Sequence, residues 1–194
     1  DRKAILSFNY KYEGNLSGYP FPMMVNISYT LDTEEGFVCT TQITNLSDNA
    51  IPLGAGWHPF FSMNKQVDQL RLKFSSDYKV EVDDRKIPTG GKNVFDTFNV
   101  SSEIDNMNFD TCFKISADQT GIHETVLSDP SEGISVILWQ ETGNNKYNYL
   151  QIYIPPDRSC IAIEPMTCNV NAFNNKEGLI VLPAGEIFNG SFGI

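Results

Sequence analysis

His58 lies in the segment GWHPFF, directly between Trp57 and Pro59, and it is one of only two histidines in the chain. Aromatic neighbours can hold an imidazole in one orientation, and Gly54 and Gly56 let a ligand or another backbone segment approach closely. A hydrogen-bonded histidine in a core bend would give the same pattern, because histidine is intermediate in burial. The segment makes His58 the first candidate for acid–base chemistry.

Glu164 is the second candidate, in the segment IAIEPMTCNVNAFNN. It follows the alternating apolar residues Ile161 and Ile163 and precedes Pro165, which interrupts a strand ladder. A carboxylate at the end of a strand can face a cleft, whereas the plain alternative is an exposed strand-end glutamate. Asparagines follow it that can bind a polyol or merely shape a loop, namely Asn169, Asn171, Asn174 and Asn175.

Asp110 is the third candidate, in the segment NMNFDTCFKI just before an apolar strand. A carboxylate at this position can bind a polar ligand, and the alternative is an Asx-turn at the strand entry. The second histidine, His123, lies in TGIHETV beside a glycine turn, and we expect it to be an ordinary surface histidine.

The elements that must position these residues are strands, because the apolar residues alternate with period two along most of the chain. Examples are VNISYTL, QLRLKF and YKVEVD, and turn signals such as DTEEG, LSDNA and PAGE separate them. No amphipathic helix pattern is present, and the segment 83–110 is the least strand-like and is predicted to be a long loop. The pattern predicts an all-β antiparallel sandwich or barrel.

The composition excludes several classes of protein. The chain has 194 residues, and residues 1–194 read as a single domain without a linker or repeat. A net charge of −10 argues against a nucleic-acid partner, and no apolar run reaches the ~20 residues that cross a membrane. The cysteines form no CxxC pair, so no metal or redox framework is indicated. Reduced thiols are the default for such a chain, and we assign it to the cytoplasm.

Several segments, in this order and spacing, resemble the aldose 1-epimerase (galactose mutarotase) family: YPFPMMVNISYTL, GWHPFF, NFDTCFKI, IAIEPMTCNVNAFN and LPAGEIFNGSFGI. The HPFF and EPMT–NAFN segments are the most specific, and the matches cover most of the chain from Tyr19 to Ile194. The resemblance implies the family fold, a large antiparallel β-sandwich, also called a supersandwich. This agrees with the alternation found independently.

The resemblance also implies roles for the candidate residues. His58 corresponds to the general acid on the sugar's ring oxygen, Glu164 to the general base on the anomeric hydroxyl, and Asp110 to a residue that binds substrate hydroxyls. Trp57 and Asn171 are further candidates for sugar binding. The implied reaction interconverts the α and β anomers of a free aldose of the glucose or galactose type, and it needs neither metal nor cofactor.

Glu164 needs help to act as a base, because a free glutamate has a pKa near ~4.3. Desolvation raises such a pKa. We expect apolar surroundings such as Trp57, Phe60 and Phe173 to provide it.

The chain departs from the family pattern in ways that affect its function. A histidine in an HG-type motif and a substrate-binding arginine, which the family carries upstream, have no counterpart, and Cys168 and Val170 replace a common glycine and proline. The chain therefore resembles the larger C-terminal part of such an enzyme, with the N-terminal strands missing. We expect the missing strands to leave exposed sheet edges, through which copies of the chain can associate. We also expect the isolated chain to have weak or no activity, whereas the parent protein is active.

Three other functions fit parts of the pattern. A non-catalytic carbohydrate-binding domain would use the same sandwich and aromatic residues. A glycoside hydrolase would need two carboxylates about 5 to 9.5 Å apart, for which Glu164 and Asp110 are a guess. A hexose-phosphate mutarotase relative would need a basic pocket for the phosphate. In this acidic chain, however, the candidate arginines are scattered along the sequence, at Arg71, Arg85 and Arg158.

Overall fold

Antiparallel strands form most of this protein in its computed structural model, which describes residues 2–116 and 119–194. Within these ranges the strands are β1 (Lys3–Tyr12), β2 (Met23–Asp32), β3 (Gly36–Asn45), β4 (Ile51–Leu53), β5 (Phe60–Phe61), β6 (Arg71–Lys73), β7 (Ser76–Val82), β8 (Pro88–Asn93), β9 (Ser102–Glu103), β10 (Asp110–Ile115), β11 (Ile122–Asp129), β12 (Ile134–Glu141), β13 (Tyr149–Tyr153), β14 (Ile161–Met166), β15 (Ile180–Leu182) and β16 (Ile187–Gly193). A four-residue helix, α1 (Ala172–Asn175), follows β14.

Two large sheets pack face to face. The eight-stranded sheet has the order β1-β2-β3-β16-β12-β11-β6-β9, and the six-stranded sheet has the order β5-β14-β13-β10-β7-β8. A small sheet of β15 and β4 completes the described part of the chain. The predicted antiparallel β-sandwich is therefore confirmed.

The six-stranded sheet shows why period two matters for a site. On its inner face, β10, β13 and β14 contribute to one buried apolar cluster, and the six residues are Phe113, Ile115, Leu150, Ile152, Ile161 and Ile163. The intervening residues of the same strands point to the opposite face, because successive side chains of a strand alternate. Asp110, Gln151 and Glu164 therefore meet on one outer surface.

The segment 83–110 is not the strand-free loop that its sequence predicts. It contains β8 and β9, and β8 pairs with β7 as a hairpin. The sequence of β8, PTGGKN, has no apolar alternation because most of the strand is exposed at the sheet edge. Main-chain pairing with β7, rather than burial of its own side chains, makes it a strand.

His123 is not a surface histidine, since only 4% of it is exposed. It lies on β11, where alternate residues face the interior, and it shares that face with the fully buried Leu127. Its Nδ1 lies 3.2 Å from the carbonyl oxygen of Ser116. The glycine turn before His123 suggested exposure, but the strand register places the ring inside.

β1 forms one edge of the eight-stranded sheet and pairs with β2. All of its residues except Tyr12 are exposed, including apolar side chains such as Leu6, Phe8 and Tyr10.

No helix in the described part of the chain is long and apolar enough to cross a membrane.

Candidate active site

His58 and Glu164 are in direct contact. The Nε2 atom of His58 lies 3.2 Å from Oε1 of Glu164. The Glu164 side chain is 10% exposed and the His58 side chain is 56% exposed. The carboxylate therefore lies in the floor of the site, and the imidazole lies above it at the solvent side.

Backbone contacts to the end of β14 bring the histidine to this position. The amide of Trp57 donates to the carbonyl of Pro165 at 3.1 Å, and the amide of Thr167 donates to the carbonyl of Ala55 at 2.9 Å. Gly56 lies between these two bonds, where a Cβ would meet the Pro165 oxygen at 3.2 Å. Because glycine has no Cβ, the two segments can pack this closely and hold His58 beside Glu164.

The Phe60 ring lies next to the imidazole. Its centroid is 5.0 Å from that of His58, and the two planes are tilted by 44°. Phe60 belongs to β5, which pairs with β14, so the strand that carries Glu164 also fixes the aromatic neighbour of His58.

Burial raises the pKa of Glu164 above its ordinary value. The charge of Asp110 raises this pKa further, while His58 lowers it. Burial has the largest effect, because a carboxylate removed from water loses solvation of its charged form. The direction of this pKa shift agrees with the predicted desolvation. Of the three aromatic residues expected to cause it, Phe60 lies beside the His58–Glu164 pair, whereas Trp57 and Phe173 do not line this cavity.

A cavity of about 350 Å³ connects three of the predicted residues. Its volume is within the usual range of small-molecule sites. It opens over the outer face of the six-stranded sheet and over the loop after β14, and its lining consists of His58, Asp110, Gln151, Tyr153, Glu164, Met166 and Val170.

Asp110 is held through both of its carboxylate oxygens. Gln151 donates from Nε2 to Oδ1 at 3.0 Å, and the ammonium of Lys86 lies 3.0 Å from Oδ2. The Asp110 side chain is nevertheless partly open to solvent. It can therefore still bind a ligand that enters the cavity.

Sequence reasoning missed Lys86, Gln151 and Tyr153. In the sheet, Gln151 is the cross-strand partner of Glu164, and Tyr153 is that of Asp110. The only available signal was the alternation in YLQIYI, which places positions 151 and 153 on one face. That alternation does not reveal the register with the neighbouring strands.

Trp57 is not brought to this cavity, although it precedes His58. Its ring stacks between Phe192, at a centroid distance of 5.0 Å, and Phe37, at 5.7 Å. It packs against both of the larger core clusters. Burying a large aromatic surface stabilises the fold, and this explains why the indole turns into the sandwich.

Asn171 and Phe173 line a second cavity, of about 690 Å³, that adjoins the first at Met166. Asn171 has a left-handed backbone at φ 60° and lies at the N-terminus of α1, where its carbonyl accepts the Asn174 amide at 2.9 Å. Phe173 is exposed and contacts Tyr19 edge-on. The sequence predicts both residues at the site of Glu164, but the turn of α1 directs them to the neighbouring cavity instead.

Two of the three arginines considered for a phosphate pocket are engaged elsewhere, and the third, Arg85, is exposed on the β7–β8 turn. Arg158 pairs with Asp68 and donates to the main-chain oxygens of residues 105 and 107, while Arg71 pairs with Glu103 and donates to Ser101. Within residues 2–116 and 119–194, the His, Cys, Asp and Glu side chains form no group that could hold a metal ion.

Comparison with known proteins agrees with this architecture. The chain is 27% identical over 175 residues to the uncharacterized protein YihR of Escherichia coli (strain K12), which covers 87% of this chain and 54% of YihR. The chain thus spans about half the length of this curated relative.

Two solved structures have the same fold. A galactose mutarotase-like protein from Clostridium acetobutylicum superposes with a TM-score of 0.83 at 23% identity, over 98% of this chain and 62% of that one. A GalM/aldose epimerase homologue from C. elegans superposes with a TM-score of 0.81 at 18% identity, over 97% and 64%. The model of the family described as aldose 1-epimerase matches residues 1–194, and the chain therefore belongs to the aldose 1-epimerase family.

Proposed function

We propose that this chain carries the acid–base site of an aldose 1-epimerase, which interconverts the α and β anomers of a free aldose of the glucose or galactose type. The observation that carries the proposal is the 3.2 Å contact between His58 and Glu164 at the edge of a ligand-sized cavity. The anomeric hydroxyl and the ring oxygen of an aldose are bonded to the same carbon. An acid and a base that serve both oxygens must therefore lie next to each other.

Ring opening needs two proton transfers. The Glu164 carboxylate takes the proton of the anomeric hydroxyl, the bond between the anomeric carbon and the ring oxygen breaks, and the His58 imidazolium gives its proton to that oxygen. The product is an open-chain aldehyde, a neutral imidazole and a neutral carboxylic acid. No electron is gained or lost overall.

Ring closure reverses these steps after the carbonyl has rotated. The neutral imidazole takes back the hydroxyl proton, the oxygen attacks the other face of the carbonyl carbon, and the Glu164 carboxylic acid returns its proton to the new anomeric oxygen. The raised pKa of Glu164 suits this cycle, because a carboxylate with a higher pKa is a stronger base.

Asp110 and Gln151 supply the contacts that orient the sugar. Both line the cavity on the same sheet face as Glu164, and Asp110 keeps part of its side chain open to solvent. A carboxylate accepts hydrogen bonds from hydroxyl groups, and an amide both donates and accepts them. The phosphate-specific alternative lacks support, since Arg71 and Arg158 are paired with Glu103 and Asp68.

Polarimetry of α-D-glucose and α-D-galactose tests the proposal. We expect the chain at high concentration to speed the approach to anomeric equilibrium, weakly compared with relatives of full family length. His58→Ala and Glu164→Gln should each reduce that acceleration by about 10²–10⁴-fold, the usual effect of one general acid or base. Glu124→Gln, at an exposed position on β11, is the matched control and should leave the acceleration unchanged.

The rival functions give different results. A carbohydrate-binding domain would bind galactose in a calorimetric titration but leave the mutarotation rate equal to that of buffer. A glycoside hydrolase would release the aryl group of a nitrophenyl galactoside. Either result, or a wild-type chain that neither binds nor accelerates, contradicts the proposal.

A further inference from the structure

The turn between β7 and β8 presents Lys86 in a fixed position. The Asp83 carboxylate accepts the amides of Arg85 and Ile87 at 2.9 Å each, and the Lys86 amide donates to the Asp83 carbonyl at 2.9 Å. Lys86 itself has a left-handed backbone, at φ 62°. A lysine keeps this uncommon conformation where the surroundings hold it, as these hydrogen bonds do.

From this turn the Lys86 side chain reaches toward the outer face of the six-stranded sheet. Its ammonium meets Oδ2 of Asp110, while Gln151 of the next strand donates to Oδ1. The sheet order β13-β10-β7 brings the three elements side by side. Asp110 is thus fixed from both sides, by a strand neighbour and by a hairpin turn.

We propose that Lys86 is a positioning residue of this site, which holds the Asp110 carboxylate in the orientation that binds the aldose hydroxyls. The inference rests on the proposed function. Lys86 acts through Asp110, because its ammonium contacts that carboxylate and does not line the cavity with His58 and Glu164. It is therefore expected to affect sugar binding more than proton transfer.

Lys86 also changes the electrostatics around Glu164. The negative charge of Asp110 raises the Glu164 pKa. Because the Lys86 ammonium contacts Asp110, we expect its positive charge to oppose that effect. Several titratable groups lie on the elements packed around Glu164. They are His58 before β5, Asp110, Cys112 and Lys114 on β10, Tyr149 and Tyr153 on β13, Cys168 after β14, Lys86 on the β7–β8 turn, and Glu177 near Cys112. Without Lys86, the uncompensated Asp110 charge should raise the Glu164 pKa further.

The test replaces Lys86 by methionine, which keeps most of the length and removes the charge. We expect the KM for galactose and the Kd in a calorimetric titration to rise about two- to fivefold, which is the range for loss of a partly exposed ion pair. The value of kcat should change little. The acidic limb of the kcat/KM profile should move to higher pH. Arg85→Met removes the same charge one residue away on the exposed turn and should change none of these values. Lys86→Arg should restore most of the binding.

A double-mutant cycle separates positioning from direct contact. In an Asp110→Asn background, Lys86→Met should no longer weaken galactose binding, because the partner charge has gone. An equal loss in both backgrounds would show that Lys86 touches the sugar directly and would overturn the inference, as would unchanged binding in the single variant.

The titration also keeps the inference separate from the proposed function. A chain that binds galactose without accelerating mutarotation would refute the proposed function alone, and the Lys86 cycle would still decide the positioning role. A chain that accelerates mutarotation but ignores Lys86→Met would refute the inference alone. A chain that does not bind galactose would overturn both.

Discussion

Gly56 and Pro165 touch so closely that a Cβ on residue 56 would lie 3.2 Å from the Pro165 carbonyl oxygen. The neighbouring amide of Trp57 donates to that same oxygen. Residue 56 is thus the point at which the segment carrying His58 is fixed to the strand carrying Glu164.

Gly56→Ala is therefore expected to damage catalysis through geometry alone. The added methyl group requires the segment to move by a few tenths of an ångström from β14, which shifts the imidazole relative to Glu164. A misplacement of about 1 Å costs on the order of 10²-fold in rate, so for this smaller shift we expect a fall in kcat of only about two- to tenfold. Polarimetry measures it. Gly18→Ala is the control, because a Cβ there meets nothing within 4 Å. Equal activity of the two variants would contradict this account.

Glu164 should make the fold less stable as the pH rises. Its pKa is raised in the folded state, so its contribution to stability is complete below the unfolded value, near ~4.3, and is lost as the pH rises through the higher folded value. Glu164→Gln removes this penalty. We expect its Tm to exceed that of wild type at pH 7 and the difference to shrink at pH 4. Thermal unfolding followed by circular dichroism measures this difference in Tm. A difference between Glu164→Gln and wild type that is smaller at pH 7 than at pH 4 would contradict the prediction.

Asp129 should have the opposite pH dependence. Its side chain is buried and pairs with Lys65. The Lys65 hydrogen bond and the Ser131 hydrogen bonds lower the pKa of Asp129 to about 2. The stability it provides is therefore present above the unfolded value, near ~3.9, and is lost as the pH falls from there toward 2.

Asp129→Asn should destabilise the protein clearly at pH 7 and hardly at pH 2, as measured by urea unfolding. Asp84→Asn, at an exposed position, provides the comparison and should have little effect at either pH. A loss of stability in Asp129→Asn that is the same at both pH values would point to packing rather than to the ion pair.

Trp57 should prove to be a structural residue. Its ring is stacked between Phe37 and Phe192, so Trp57→Ala removes a large, partly buried aromatic group that packs against both core clusters. We expect a loss in the free energy of unfolding below about 3–5 kcal/mol, the range for truncation of fully buried aromatic residues. The milder Trp57→Phe keeps a stacked ring, and it should leave the Kd for galactose unchanged in a calorimetric titration. A weaker Kd with unchanged stability would restore the role in sugar binding that the sequence suggests.

We also propose that the chain associates with itself through β1, and the exposure of this edge strand supports the proposal. Two copies of the chain can pair at this edge, because a long edge strand offers unpaired main-chain groups and here also exposed apolar side chains. We expect a concentration-dependent dimer in sedimentation velocity, and Phe8→Lys should shift it toward monomer. Val94→Lys, at an exposed apolar residue outside the strands, should not. A wild-type chain that is monomeric at every concentration would refute the proposal.

The sequence by itself determined the fold class and the main candidates of the site. Alternating side chains predict strands because only one face of each strand is buried, and this rule is local. The same rule placed Glu164 on a strand that faces a cleft, and the aromatic segment around His58 identified that residue. The predicted strand end at Glu164 was wrong, because β14 continues through Pro165 and stays paired with β13 as far as Met166. The rule failed for β8, which is held by main-chain pairing. The exposure predicted for His123 rested on the glycine turn before it, and the register of β11 buries the ring instead.

The tertiary structure alone decided which residues meet. Gln151, Tyr153 and Lys86 join Asp110 and Glu164 because of cross-strand register and a turn from a neighbouring hairpin. It also turned Trp57 into the core and Asn171 toward a second cavity. Register and sheet order depend on pairing between distant segments, and the period of a single strand carries no information about its partner.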